Sequence, residues 1–559
     1  MPWNNIFPPW QWAKGYSRKN LRNDIFAGIT LAAYAIPVSM AYASLAGLPV
    51  QYGIYGYLIG GIFYALFGTS RQLAVGPTSA ISLLIGTTIA SMANGDVQRW
   101  ADIASLTALV VAILGLLAFF LRLNSIINFI SESVLLGFKA GAAITIALTQ
   151  LPKLFGLPGG GSDFFERAGI LIRQLPDTNI AVLVFGMSAI ILLIAGEKIF
   201  PGRPVAILLV VASIIFISTH SASFADFSCT GHILPGLPDF HAPSLRVKDI
   251  EGVIPLAFAC FLLAYIESVS AAKTLANQGG YEIDPRQELL GLATANAATA
   301  FGQGYPVSGG LSQSAVNSKA GAKTPLSLVF ASVTIALCLL FLTGPLKNLP
   351  GVMLAAILLV AISGLFDVKE LRHLWKVSRV EFTVAMISLL GVIILGILEG
   401  VVLAAIVSIL LMLRAVSDPH VAFLGRIPGT KRYTDISRHP DNETIPGLLL
   451  LRVESSIFYF NTDNIRNRIW NEIQASGDTL RCVIWDFSTS PYVDIAGARF
   501  IKKLHLDLKA RGVSFKIAET RAGVRDILRA EDIEDLMGHI SRKVSADDLV
   551  NESINGHPG

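Results

Sequence analysis

Glu267 lies inside the apolar stretch ACFLLAYIESVSAAKTLA. A carboxylate placed in hydrocarbon costs roughly 3 kcal/mol unless it faces a cavity or a partner, and a carboxyl held away from water keeps its proton more readily. The residue is therefore a candidate for binding and releasing a proton; the structural alternative is a neutral carboxyl or one paired with Lys273. Two other segments, VGPTSAIS at 75–82 and PVSGGLSQS at 306–314, open with glycine, proline and hydroxyl residues. That chemistry suits a short helix whose first N–H groups are free and point into a cavity at membrane mid-depth. The positive end of such a helix attracts an anion without a basic side chain. Pro37 precedes Ser79 by 42 positions and Glu267 precedes Ser312 by 45, so two halves of the chain correspond. Short, Gly/Pro-interrupted segments at matching positions of two halves point to the binding site of a secondary transporter.

Nothing in the chain suggests bond-making chemistry. No nucleophile–base or metal constellation falls in a soluble setting. The four cysteines, Cys229, Cys260, Cys338 and Cys482, have neither metal-ligand spacing nor a disulfide pattern. The expectation is a protein without enzyme activity, cofactor or metal. Glu132 and Lys139 stand seven positions apart, about two helical turns, and could face one side; packing with snorkelling near a cytoplasmic helix end is favoured over a place on the substrate path.

These residues need a membrane to position them. Of 559 residues, 53% are hydrophobic and 15% charged, against roughly 25% charged in soluble domains. Apolar segments long enough for hydrocarbon recur at 24–45, 50–68, 77–93, 101–121, 126–149, 178–196, 204–219, 251–276, 286–302, 309–321, 325–344, 350–366, 379–398 and 399–416. Basic residues near their ends, including Arg22, Arg71, Arg122, Arg203, Arg286, Lys369 and Arg414, collect on one side of this fourteen-span scheme. That side is expected to be the cytoplasm and to hold both termini. Residues 1–23 carry no apolar h-region and read as a retained segment, with Trp3, Trp10 and Trp12 followed by Lys14, Arg18 and Lys19 suited to the headgroup layer. A net charge of +4 gives nucleic acid no electrostatic footing. After the membrane domain at 24–416 comes a linker at 417–445, then a charged region at 446–555. There 447–454, 480–487 and 513–518 read as strands, and 463–475, 495–511 and 521–530 as helices, an α/β pattern.

The stretches DIFAGITLAAYAIPVSMAYASLAGLPVQYGIY, YALFGTSRQLAVGP and GGLSQSAVNSKAGAKTPLS closely resemble the signatures of the sulfate permease family, SulP, also called solute carrier family 26. The resemblance runs from about residue 21 to 555. It implies an all-α polytopic fold of fourteen helices in a seven-plus-seven inverted repeat, divided into core and gate, with a C-terminal STAS domain. It also implies an inner or plasma membrane location and a homodimer through the cytoplasmic domain. By the same resemblance the substrate sits between the starts of spans 3 and 10 and against span 1. Its contacts map onto Val38, Tyr42, Thr78, Ser79, Leu311, Ser312 and Gln313. Several animal members carry arginine where this chain has Gln313, which removes a fixed positive charge. Sodium-coupled bicarbonate members place a hydroxyl one turn after the span-8 carboxylate, where this chain has Ala271, so protons are favoured over sodium. Ala496 replaces the phosphorylatable serine of stand-alone STAS proteins, which excludes that switch here.

The expected function is proton-coupled uptake of a small anion by an elevator motion, with sulfate first and Glu267 as the coupling group. Bicarbonate or a dicarboxylate such as fumarate, carried by symport or exchange, is the nearest alternative, and an uncoupled anion channel is the alternative of another class. A nucleobase permease of the same fold would also use a span-8 glutamate, but the STAS tail and the signatures above oppose it.

Overall fold

The computed structural model describes residues 7–12, 15–93, 96–123, 131–161, 163–200, 205–219, 227–230, 236–537, 540 and 544–555. Trp3, Lys14, Arg203 and the first residues of the expected spans 5 and 7 lie outside them. The chain divides into two compact units, Met1–Ser408 and Ile409–Gly559.

Each of the fourteen apolar segments coincides with a helix. In the first half these are α1 (Arg18–Leu45), α2 (Val50–Phe67), α3 (Ser79–Ala93), α4 (Val97–Phe120), α5 (Glu132–Phe155), α6 (Ile180–Ile199) and α7 (Val205–Thr219). The second half has α8 (Val247–Gly279), α9 (Pro285–Phe301), α10 (Leu311–Lys319), α11 (Leu326–Phe341), α12 (Gly351–Ser363), α13 (Arg379–Leu395) and α14 (Ile397–Ser417). Seven helices among the described residues are long and apolar enough to cross a bilayer. α6 exposes Ile180, Val184, Ile191 and Ile194, as a helix does when lipid is its solvent.

The two halves match in their irregularities as well. Each has a short helix preceded by a two-residue strand at its third position, α3 or α10, and an amphipathic helix between its fifth and sixth, Phe164–Gln174 or Val368–Val377. In sequence the first of these falls between the expected spans 126–149 and 178–196, because its apolar stripe is too short to read as a span.

Helices α1–α4 pack with α8–α11, and α5–α7 pack with α12 and α13; α14 meets α13 where Gly400 lies against Val392, and its Ser408 accepts from Ser131 N at the start of α5. These two bundles are the core and gate of the fold. Small residues let helices approach closely within them. A Cβ at Gly137 on α5 would stand 1.9 Å from the Ala385 carbonyl oxygen of α13, so that position admits only glycine. Two buried carboxylates tie the ends of the core together. Asp24 on α1 accepts from the backbone of Lys323 and Thr324 at 2.6 and 3.2 Å. Glu288 on α9 accepts from Tyr64 Oη at 2.7 Å and from the backbone of Thr69 at 2.7 Å.

Unit 2 holds a five-stranded sheet. In the numbering that follows the two short strands of the membrane unit, these are β3 (Val421–Arg426), β4 (Tyr433–Asp435), β5 (Leu448–Val453), β6 (Cys482–Asp486) and β7 (Ser514–Ala518), in the order β4-β3-β5-β6-β7. β5, β6 and β7 run parallel and match the strands read from sequence. β3 and β4 come from residues read as linker; β4 has only three residues, and β3 follows closely on the last membrane helix, where its apolar run VAFLG reads on from that of the span. Helices Thr462–Ser476, Ile495–Ala510 and Ala522–Ala530 complete the α/β pattern. Asp494 caps the second by accepting from Gly497 N at 2.7 Å.

Candidate anion and proton site

Short strands bring the two half-helices together. β1 (Val75–Gly76) pairs antiparallel with β2 (Ser308–Gly309), Val75 opposite Gly309 and Gly76 opposite Ser308. Because β1 leads into α3 and β2 into α10, the pairing sets the two helix starts side by side in opposite senses. Gly76 is required by close approach, since a Cβ there would lie 2.2 Å from the Tyr57 ring. Asn296 holds the strand entry from both sides, donating to Val307 O at 3.0 Å and accepting from Val307 N at 2.9 Å. Each start leaves its first N–H groups without intrahelical partners, so two partial positive charges converge on one region.

Side chains from four elements meet there. Ser308 Oγ is 3.3 Å from Glu267 Oε2 and 3.2 Å from Thr78 Oγ1. The next residue on α8, Ser268, accepts from Gly309 N at 2.8 Å. Tyr42 on α1 lies beside Ser79 and within electrostatic reach of Glu267. Val38 is one turn earlier on the same helix, and both it and Tyr42 are buried. Behind the cluster, Ser82 and Tyr305 share a hydrogen bond of 2.9 Å.

The three residues of α10 divide. Leu311 is 56% exposed and Ser312 is exposed, so both face open space at the helix start. Gln313 is buried and donates Nε2 to Pro77 O at 3.0 Å, bracing α10 against the segment that leads into α3. Its Oε1 is buried without a partner among the described residues.

Glu267 is not paired with Lys273, which is exposed. The basic group whose field reaches it is Lys139, half-buried on α5 of the other bundle. Sequence reading had assigned Lys139 to packing, because the approach of α5 to α8 is a tertiary fact. Ser308 and Ser268 were also missed as site members. Ser268 had one available signal, a hydroxyl adjacent to an intramembrane carboxylate. Among the described residues no group of His, Cys, Asp and Glu could hold a metal ion.

Comparison with known proteins agrees with this architecture. The sulfate permease family model matches residues 21–388, and the STAS domain model matches 439–546. A probable sulfate transporter of Mycobacterium tuberculosis is 31% identical over 533 residues, covering 94% of this chain and 95% of that protein. The chloroplastic sulfate transporter 4.1 of Arabidopsis thaliana is 31% identical over 552 residues, covering 96% of this chain and 80% of its own length. Among solved structures, the murine solute carrier 26 family member A9 anion transporter in the inward-facing state superposes with a TM-score of 0.89 at 21% identity, covering 98% of this chain and 94% of that one. The transmembrane domain of the cyanobacterial bicarbonate transporter BicA gives 0.61 at 20% identity, covering 71% and 98%. With a family model covering most of its length, two bundles built from repeated halves and a C-terminal STAS sheet, the chain belongs to the sulfate permease (SulP, solute carrier 26) family of anion transporters and is a multi-pass membrane protein that moves a small anion.

Proposed function

We propose that the protein takes up sulfate together with protons, with the anion held in front of the α3 and α10 starts and Glu267 carrying the proton. The observation that carries the reading is the hydrogen-bonded triangle of Ser308, Thr78 and Glu267. A serine hydroxyl has one proton to give. With Glu267 ionised, Ser308 and Thr78 both hold their protons toward the carboxylate. With Glu267 protonated, the carboxylic acid donates to Ser308, Ser308 turns its proton to Thr78 Oγ1, and the Thr78 hydroxyl is released toward the anion. Protonation thus adds a donor to the site and removes a negative charge in the same event. Proton and anion then favour each other's binding, as reciprocal linkage requires.

Sulfate is the first choice because the two full-length relatives above carry sulfate in their names. Val38, Tyr42, Thr78, Ser79, Leu311 and Ser312 line or back the anion site in this reading, while Gln313 braces α10. The core bundle moves against the gate as an elevator, and Lys139 on the gate faces Glu267 in one of its positions. Both termini lie in the cytoplasm of a cell with this protein in its inner or plasma membrane, and two copies associate. The test is uptake into proteoliposomes of labelled sulfate, bicarbonate or fumarate under an imposed pH or sodium gradient. The reading expects concentrative sulfate uptake driven by an inward proton gradient. Sodium-driven uptake, or current without saturable uptake, would replace it.

A further inference from the structure

We infer that Lys153 forms a second anion-binding site, an outer waypoint that collects the substrate before it reaches the half-helices. Lys153 is fourteen residues beyond Lys139 on α5, which places it about 20 Å along that helix from the level of Glu267. It lies where α5 and α1 end together, the outer end in the orientation proposed above. Nζ donates to Ser44 Oγ at 2.9 Å, a neutral hydroxyl two residues beyond Tyr42. No ion pair among the described residues includes it. A half-buried ammonium with only a neutral partner is a charge left available to a ligand.

The surroundings suit an anion. Lys153 lines a cavity of about 260 Å³ together with Ser44, Thr87, Thr149, Gln150 and Arg167. Leu45, Leu83, Gly86, Leu148 and Pro152 complete the lining with the loop Pro158–Gly161, whose three consecutive glycines all have positive φ and put no side chains into the space; the Gly159 N–H is held by Gln174 Oε1 at 3.1 Å. Arg167 donates Nε to Gly161 O at 3.0 Å and feels Asp163 and Glu166 nearby. Its charge is therefore partly offset, and Lys153 supplies the net attraction. Lys153 also borders a second cavity of about 590 Å³, shared with Ser228, Cys229 and Thr230. One ammonium thus faces both spaces at the same end of the bundle. Because α1 belongs to the core and α5 to the gate, an anion that draws Nζ away from Ser44 loosens a contact between the bundles on the side from which it arrives.

This site rests on the anion-transport reading but not on proton coupling. The experiment uses the full chain with Cys229→Ser, since Cys229 borders the second cavity, and measures external KM with the anion the wild-type protein takes up, sulfate first. Lys153→Cys should raise KM about fivefold, the scale expected for removing one charge from a partly screened site. A membrane-impermeant methanethiosulfonate carrying trimethylammonium should bring KM most of the way back, and one carrying sulfonate should raise it further. Ser44→Ala, which keeps the charge, should leave KM within about twofold of wild type on the same scale. Should Lys153→Cys not fold, Lys153→Gln against Lys153→Arg reads the same dependence on charge. Unchanged KM without the ammonium, or equal inhibition by both reagents, overturns the proposal. Failure of the inner site would show instead as normal uptake by Ser312→Phe, so the two can be told apart.

Discussion

Ser308 Oγ stands 3.3 Å from Glu267 Oε2 and so joins the α10 side of the site to the carboxylate on α8. The same oxygen is 3.2 Å from Thr78 on the α3 side, and the Thr78 hydroxyl also bonds Glu267, so the proposed proton carrier and the proposed anion contact share one hydrogen-bonded cluster. Ser308→Ala should leave anion exchange active while reducing proton-driven accumulation at least severalfold. Thr78→Val should instead weaken anion binding at low pH more than at high pH, because only the protonated site frees the Thr78 hydroxyl. Paired exchange and accumulation assays across pH check both. Identical losses of exchange and accumulation in Ser308→Ala would separate it from coupling.

Ser312 faces open space at the start of α10. Ser312→Phe should fill that space and abolish uptake while the protein still elutes as a folded species. Uptake kinetics like wild type would place the anion elsewhere.

Gln313 is buried and hydrogen-bonded to Pro77 O. Gln313→Leu leaves that carbonyl unpaired and should cost about 1–3 kcal/mol, read as a lowered midpoint in thermal unfolding in detergent. A change confined to selectivity, with stability unaltered, would return Gln313 to the anion contacts.

Much of this site is visible in the sequence because its signals are exceptions to the surrounding pattern. A carboxylate in an apolar run, and glycine, proline and hydroxyls where a span should begin, stand out against their neighbours. The pairing of Gly76 with Ser308 does not, since two-residue strands carry no period. Nor does the division between Ser312 and Gln313, which depends on the 100° step between adjacent helical residues and on where α10 starts. Lys139 and Lys153 read alike as basic residues on one helix. Only the packing shows that one faces Glu267 and the other Ser44. The clamp at buried Glu288 is not legible, because its donors Thr69 and Tyr64 lie 219 and 224 residues away in the chain. In the STAS unit, β5, β6 and β7 were legible as apolar runs flanked by turns, whereas the pairing of β3 with β5, antiparallel from Val421 opposite Val453, is a tertiary fact.

His505, on the helix Ile495–Ala510, is buried with neither ring nitrogen bonded to a described residue. Burial, with a smaller contribution from Lys509, pushes its imidazole below the ordinary value. Its neutral form is favoured in the folded unit, so the unfolded chain takes up the proton first as pH falls through about 6.5. The STAS unit should therefore lose stability between pH 7 and roughly 5.5, and His505→Leu should reduce that loss. Hydrogen exchange of β6 and β7 at the two pH values reads it; an equal slope in both proteins would assign the loss to other groups.

Proton coupling through Glu267 is tested most directly by sulfate accumulation in proteoliposomes under an inward proton gradient, comparing wild type with Glu267→Gln. The amide mimics the protonated carboxyl and keeps a hydrogen bond to Ser308. The variant should exchange sulfate across the membrane yet fail to concentrate it, and its exchange rate should no longer depend on pH. Concentrative uptake by Glu267→Gln equal to wild type would contradict the account.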